Sequence, residues 1–266
     1  MTIPVALTIA GSDSSGGAGI QADLKTFAAL GVYGASVITA LTAQNTIGVS
    51  GIHPVPADFV TAQIDAVFGD LDVKAVKIGM VAQLAAIDAI VAGLTRWSPE
   101  HVVLDPVMVA TSGDRLLADD AVEALRTKLI PRAALITPNL PEAAALLDEP
   151  IASSEAAIES QGRRLLAMGC PAVLIKGGHG KGSESTDYLV SGNGVITLAA
   201  PRVVTKNTHG TGCSLSSAIA AGLAKGEELE TAVRSAKAWI SAAIAAADRL
   251  GVGHGHGPIH HFHGFY

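Results

Sequence analysis

The chain has 266 residues, 49% hydrophobic and 16% charged, with 18 basic against 24 acidic side chains and a net charge of -6. A domain of this length buries about three quarters of its unfolded surface, so it needs no disulfide or metal to hold it together. The acidic balance lacks the basic excess of a nucleic-acid-binding surface, and 29 glycines are too few for a collagen-like or low-complexity chain.

Apolar runs of strand length recur at Val5–Ala10, Ser36–Ala40, Val73–Ile78, Val102–Asp105, Leu135–Thr137 and Val173–Lys176. Amphipathic helical patterns lie between them at Gly19–Leu30, Ala57–Phe68, Ala82–Trp97, Asp119–Leu129 and Glu155–Met168. This alternation predicts an α/β domain with a mostly parallel sheet and helices on both faces. Asp187–Val190 and Val195–Leu198, joined through Ser191-Gly192-Asn193-Gly194, read as a β-hairpin at an antiparallel edge. Two helices, Thr211–Lys225 and Leu229–Leu250, close the pattern. No repeat or linker interrupts it, which predicts a single domain over 1–266.

Met1-Thr2-Ile3-Pro4 carries no basic segment of a signal peptide. The apolar run Ala236–Ala247 contains Lys237 and is too short to span a membrane. The expectation is a cytoplasmic protein without membrane contact, in which Cys170 and Cys213 stay unpaired.

In open parallel sheets ligands bind beyond the carboxyl ends of the strands. The exits here are Gly11-Ser12-Asp13, Thr42-Ala43-Gln44-Asn45, Gly79-Met80, Asp105-Pro106-Val107, Asn139-Leu140-Pro141-Glu142 and Lys176-Gly177-Gly178. Gly17-Ala18-Gly19-Ile20-Gln21-Ala22 fits a dinucleotide fingerprint, but no acid lies between Leu24 and Ala57 to hold a ribose. A Walker A loop is also absent from the sequence. A tight turn with a polar cap explains this loop as well as a small-ligand site does.

Thr208-His209-Gly210-Thr211-Gly212-Cys213 opens an apolar helix, and bare amides at a helix start form an anion site. Cys213 in the first turn is expected to have a lowered thiol pKa. Asn139 and Glu142, three apart, either hold Mg²⁺ through waters or simply start a helix. Lys176 either neutralises phosphate or faces solvent. His254, His256, His260, His261 and His263 crowd the last residues; metal binding is possible in principle, but no neighbouring acid or thiol joins them and chain termini are often mobile.

The segments Gly11–Asp13, Gly16–Lys25, Thr42–Thr46, Asp105-Pro106, Thr137–Glu142, Lys176–His179 and Lys206–Cys213 occur in one characteristic order. On them the chain closely resembles the bifunctional hydroxymethylpyrimidine/phosphomethylpyrimidine kinases of thiamine biosynthesis, within the ribokinase-like superfamily. The resemblance covers essentially the whole chain and implies a ribokinase-like three-layer sandwich, ATP and Mg²⁺ as cofactors, and a homodimer. It implies two phosphorylations, of 4-amino-5-hydroxymethyl-2-methylpyrimidine and then of its monophosphate.

By position, Gln44 would read the aminopyrimidine, since an amide both accepts from an exocyclic amine and donates to a ring nitrogen. Gly11, Asp23, Met80 and Val107 would complete that pocket. Cys213, Lys176, Gly210 and Gly212 would be catalytic, with Cys213 as a thiolate accepting the hydroxyl proton. Thr211, Gly212 and Lys176 would hold ATP, with Asn139 and Glu142 in the magnesium shell. Sugar kinases of the superfamily carry an aspartate where this chain has Cys213. Ser14 replaces a proline frequent in relatives, which would loosen the loop. A pyridoxal kinase of single or dual specificity is the nearest rival reading; a non-catalytic ligand-binding protein and an NAD enzyme are more remote.

Overall fold

The structure is a computed structural model describing residues 2–108, 119–178 and 182–266. His179 and Gly180, singled out above, lie outside the described residues. In chain order the elements are β1 (Val5–Ala10), α1 (Gly19–Ala29), β2 (Tyr33–Ile38), β3 (Ala40–Gln44), β4 (Val49–Pro54) and α2 (Ala57–Phe68). Then come β5 (Val73–Ile78), α3 (Leu84–Trp97), β6 (His101–Leu104), α4 (Asp119–Ala124, continuing as a wider helical turn over Leu125–Leu129) and β7 (Leu135–Ile136). Last are α5 (Leu140–Leu147), α6 (Glu155–Leu166), β8 (Ala172–Ile175), β9 (Glu184–Ser191), β10 (Gly194–Pro201), α7 (Thr211–Ala224) and α8 (Leu229–Ala245).

Among the described residues the main sheet has eight strands in the order β10-β9-β8-β7-β6-β5-β1-β2. Pairing is parallel from β2 to β8 and antiparallel at β9 and β10, which form the hairpin edge read from the sequence. The chain leaves β1 for β2 on one side and returns to β5 on the other. That reversal makes a crevice beyond the ends of β1 and β5, where such sheets bind ligands.

Strand residues alternate between two apolar layers because successive side chains point to opposite faces. Val102, Leu104, Val173 and Ile175 pack with Ile64, Ile87, Ile90, Leu146 and Leu165 of α2, α3, α5 and α6. Val103, Ala172 and Leu174 pack with Phe27, Leu215, Ile219, Val233 and Ile240 of α1, α7 and α8. The result is the expected helix–sheet–helix sandwich. Helix α7 is buried from Ser214 through Ala224, and its serines are satisfied by specific partners. Ser216 bonds back to the carbonyls of Gly212 and Cys213. Among the described residues no helix is long and apolar enough to cross a membrane.

Three elements differ from the sequence expectation. The run Ser36–Ala40 is not one strand: β2 stops at Ile38, and Ala40 begins β3, which pairs antiparallel with β4 in a separate two-stranded sheet. No glycine or proline marks this bend. It is fixed by Thr39, whose N–H donates to the Ala10 carbonyl at 3.0 Å and whose hydroxyl donates to the Met80 carbonyl at 2.9 Å. Helix α5 was not read as a helix because its eight residues are too short to show a periodic face. It is defined instead by its cap, described below. Helix α8 also ends earlier than Leu250, in a short 3-10 turn over Ala247–Arg249.

Candidate active site

A cavity of about 620 Å³ opens at the carboxyl ends of the parallel strands. Its walls include Gly11, Gln44, Met80 and Val107 near the β1–β5 crevice, and Asp105, Glu142 and Lys176 beyond β6, β7 and β8. The start of α7 contributes Gly210, Thr211, Gly212 and Cys213. Every residue to which the resemblance gives a catalytic, substrate, nucleotide or magnesium role borders this one space except Asp23.

Gly11 meets the cavity because its N–H donates to the Met80 carbonyl at 3.2 Å, and a Cβ there would run into the Met80 methyl. Gln44 stands at an irregularity in the β3–β4 register between Ala43 and Gln44. Its backbone is held from outside the hairpin by Ser14, whose hydroxyl donates to the Gln44 carbonyl at 2.8 Å and accepts from its N–H at 2.9 Å. Ser14 therefore pins the loop rather than loosening it. The Gln44 side chain accepts from the Thr42 hydroxyl at 3.2 Å.

The loop before α7 is pressed against the first glycine loop. Gly210 adopts φ 80°, and a Cβ at that position would overlap the Gly17 carbonyl oxygen. Among the described residues no side chain caps the helix start; the Thr211 N–H turns back to the Thr208 carbonyl at 3.2 Å, so the Gly212 and Cys213 amides and the positive end of the helix dipole remain for an anionic ligand. His209 joins the two loops. Its Nε2 lies 2.7 Å from Asp13 Oδ2, which also accepts from the amides of Gly17 and Ala18. Burial pushes the Asp13 carboxyl up, but the bonds from His209 and Ser15 outweigh it and hold the pKa at about 2.

Asn139 and Glu142 start a helix, as one of the two readings given above has it. Asn139 Oδ1 accepts from the Glu142 N–H at 2.8 Å and Glu142 Oε2 accepts from the Asn139 N–H at 2.7 Å, a reciprocal cap that starts α5. The same geometry presents both side chains to the cavity. Lys176 does not face open solvent: its Nζ lies 2.6 Å from Asp105 Oδ1 and 3.9 Å from Glu142 Oε2. Burial would lower its pKa, yet those two carboxylates hold it above the usual lysine value. Burial pushes Glu142 up to about 7, against the opposing pull of Lys176.

Asp105 was not singled out as a site residue from the sequence. Its Oδ1 accepts from Thr137 and Lys176, whereas Oδ2 is buried without a hydrogen-bond partner among the described residues. A buried acceptor left bare is costly unless a ligand completes it. Its place one residue beyond β6 was the available signal. Lys237 was equally legible as a cation inside an apolar helix; it borders the cavity and pairs with Asp187 at 2.7 Å, while Asp187 accepts from the Gly177 N–H at 2.8 Å.

Two expectations are corrected. Asp23 is fully buried behind the cavity, where it binds Lys77 Nζ at 2.9 and 3.0 Å and accepts from Thr8 and Ser217 at 2.6 and 2.7 Å. It is a partner for a buried cation, not a wall of the pocket. Cys213 is not poised as a thiolate. Burial pushes its thiol up to about 11, against the pull of Lys77 and of a hydrogen bond from the Gly19 backbone, and the nearby carboxylates of Asp23 and Asp105 add to the rise.

This arrangement of anion loop, lysine and carboxylates on a three-layer sandwich defines a ribokinase-like phosphotransferase. A family model described as phosphomethylpyrimidine kinase matches residues 13–260, and the chain belongs to that family. It is 60% identical over 259 residues, 97% of each chain, to a hydroxymethylpyrimidine/phosphomethylpyrimidine kinase of Rhizobium meliloti. Among solved structures it matches the phosphomethylpyrimidine kinase of Clostridium difficile, with TM-score 0.81, 46% identity, and 91% of this chain and 100% of that one covered. The pyridoxal kinase of Staphylococcus aureus in complex with AMP-PCP and pyridoxal matches with TM-score 0.87 and 31% identity, over 98% of this chain and 94% of that one.

Two outcomes test this description. Lys77→Met leaves Asp23 buried and unpaired, and should lower unfolding free energy by about 3–5 kcal/mol in urea titration; adding Asp23→Leu should recover most of the loss. Alkylation of Cys213 by iodoacetamide, followed by peptide mass, should be slow at pH 7 and rise about tenfold per pH unit into the alkaline range. A plateau already reached at neutral pH would contradict a protonated thiol.

Proposed function

We propose that the enzyme transfers phosphate from ATP to the hydroxymethyl group of 4-amino-5-hydroxymethyl-2-methylpyrimidine, and then phosphorylates the resulting monophosphate to the diphosphate. The observation that carries this reading is the joining of an amide-bearing pocket at Gln44 to an uncapped helix start flanked by Lys176. The family and the 60% identical relative support the same substrate. Gly11, Met80 and Val107 shape the pocket beside Gln44. Gln44 accepts from the exocyclic amine and donates to a ring nitrogen, a pairing that a carboxylate does not supply.

The Gly212 and Cys213 amides and the Lys176 ammonium stabilise the charge on the phosphoryl group in flight. Thr211 and Gly212 approach the nucleotide phosphates. Transfer of this kind depends mainly on positioning and electrostatics. A strong base is therefore unnecessary, and Cys213 as a thiol orients the substrate hydroxyl toward the phosphate. Asp105, with its bare Oδ2, and Glu142 fit a hard cation through oxygen ligands. Together with Asn139 they are the residues that would hold Mg²⁺ near the nucleotide, where the ion neutralises phosphate charge when bound.

Incubation with ATP, Mg²⁺ and the pyrimidine alcohol, followed by product mass, should yield both monophosphate and diphosphate; binding without product would overturn the reading. Turnover of the pyrimidine alcohol should exceed that of pyridoxal, and Gln44→Glu should erase the difference. Cys213→Ala should reduce turnover by about 10²-fold while ATP binding persists, the loss expected from a misplaced reactant.

The enzyme is also proposed to act as a cytoplasmic homodimer. The β3–β4 sheet leaves Leu41 and Ile52 exposed on the protein surface, and a second copy would cover them. Sedimentation should give twice the chain mass, reduced to one chain by Leu41→Asp with Ile52→Asp.

A further inference from the structure

The histidine-rich tail is tied to the rest of the fold by hydrogen bonds. Gly255 N–H donates to the Thr46 hydroxyl at 3.1 Å, and His256 N–H donates to the Thr46 carbonyl at 2.8 Å. One residue on, Gly257 N–H donates to Asn207 Oδ1 at 3.1 Å, and the Gly257 carbonyl accepts from His209 N–H at 3.0 Å. A Cβ at residue 255 would overlap the Thr46 carbonyl oxygen, and one at 257 would overlap Asn207 Oδ1. The glycines are there because two other segments come within bonding distance of this backbone.

Beyond the strap the tail is anchored. Ile259 is fully buried in the core, His260 N–H donates to the Ala243 carbonyl at 3.1 Å, and His261 Nε2 lies 2.9 Å from the Ser214 hydroxyl on α7. Burial holds the His261 pKa near 3, so this ring stays neutral.

Thr46 lies two residues after Gln44, in the turn of the β3–β4 hairpin. Asn207 and His209 immediately precede the amides at the start of α7. This hairpin is not part of the main sheet, so its tip needs another support. We propose that residues 253–257 form a positioning strap, holding the turn that carries Gln44 at a fixed distance from the anion loop. The strap thereby sets where the substrate alcohol stands relative to the phosphate. This role rests on the pyrimidine reading of Gln44, whereas the mechanical link between the two segments does not.

The test uses the full chain with Thr46→Val, Thr46→Ser and Gly255→Ala. Loss of one hydrogen bond predicts a roughly fivefold rise in KM for the pyrimidine alcohol in Thr46→Val, with KM for ATP and kcat within about twofold. Thr46→Ser should restore the wild-type value. In the same proteins without ligand, amide hydrogen exchange should quicken in both 43–48 and 207–210 for Gly255→Ala. Exchange that quickens in neither or only one segment would overturn the strap. An unchanged KM for the alcohol, or equal changes in both KM values, would overturn its positioning role. If wild type fails to phosphorylate the alcohol, the substrate reading falls, and the exchange result still decides whether the strap exists.

Discussion

The whole molecule follows from a sheet that is apolar on both faces. Val102, Leu104 and Val103 alternate between two helical layers, and each layer removes a strand face from water. At about 25 cal/mol for each Å² of apolar surface buried, this is the dominant favourable term in the fold. Two buried polar side chains along the strands, Thr8 and Lys77, are taken up by Asp23. Function is displaced to their carboxyl ends, where the loops are short and the backbone is bare. The reversal of direction at β1 and β5 then opens the crevice in which those ends converge.

Charge at the site is organised in depth. Behind the cavity, Asp23 and Lys77 neutralise one another out of reach of water. At the wall, Asp105 holds Lys176 with one oxygen and keeps the other free, and Glu142 stands within 4 Å of the same ammonium. The outer ion pair differs from the inner one in that it still has an unsatisfied acceptor. One pair fixes the sheet to α1 and α7; the other is open to a ligand. A buried ion pair contributes little net stability by itself, so its retention at the wall is better explained by ligand handling than by folding.

The alternation of strand and helix was legible in the sequence because hydrophobic period and burial agree over most of the chain. The edge hairpin was legible from Ser191–Gly194. What escaped were features that the hydrophobic period does not carry. The break at Thr39 depends on carbonyls of Ala10 and Met80, and α5 depends on a reciprocal cap within eight residues. The site loops were visible as glycines and polar exits, which is why Gln44, Lys176, Asn139 and Glu142 meet in one cavity. Asp23 and Cys213 were misjudged for one reason: position along the chain does not report depth. A helix start favours thiolate only where water or cations reach it, and here burial and two carboxylates prevail. The tail glycines had no explanation until Thr46 and Asn207 were seen against them.

The protonated state of Cys213 has a consequence outside phosphoryl transfer. Peroxides attack the thiolate and climb from sulfenic to sulfinic and sulfonic acids, the later steps being irreversible in most proteins. A cysteine at a phosphate loop would be a weak point under oxidative stress if the helix start ionised it. With its pKa raised to about 11, the sulfur is predominantly in its unreactive form at neutral pH. The raised pKa that removes a base from the site also slows its oxidation.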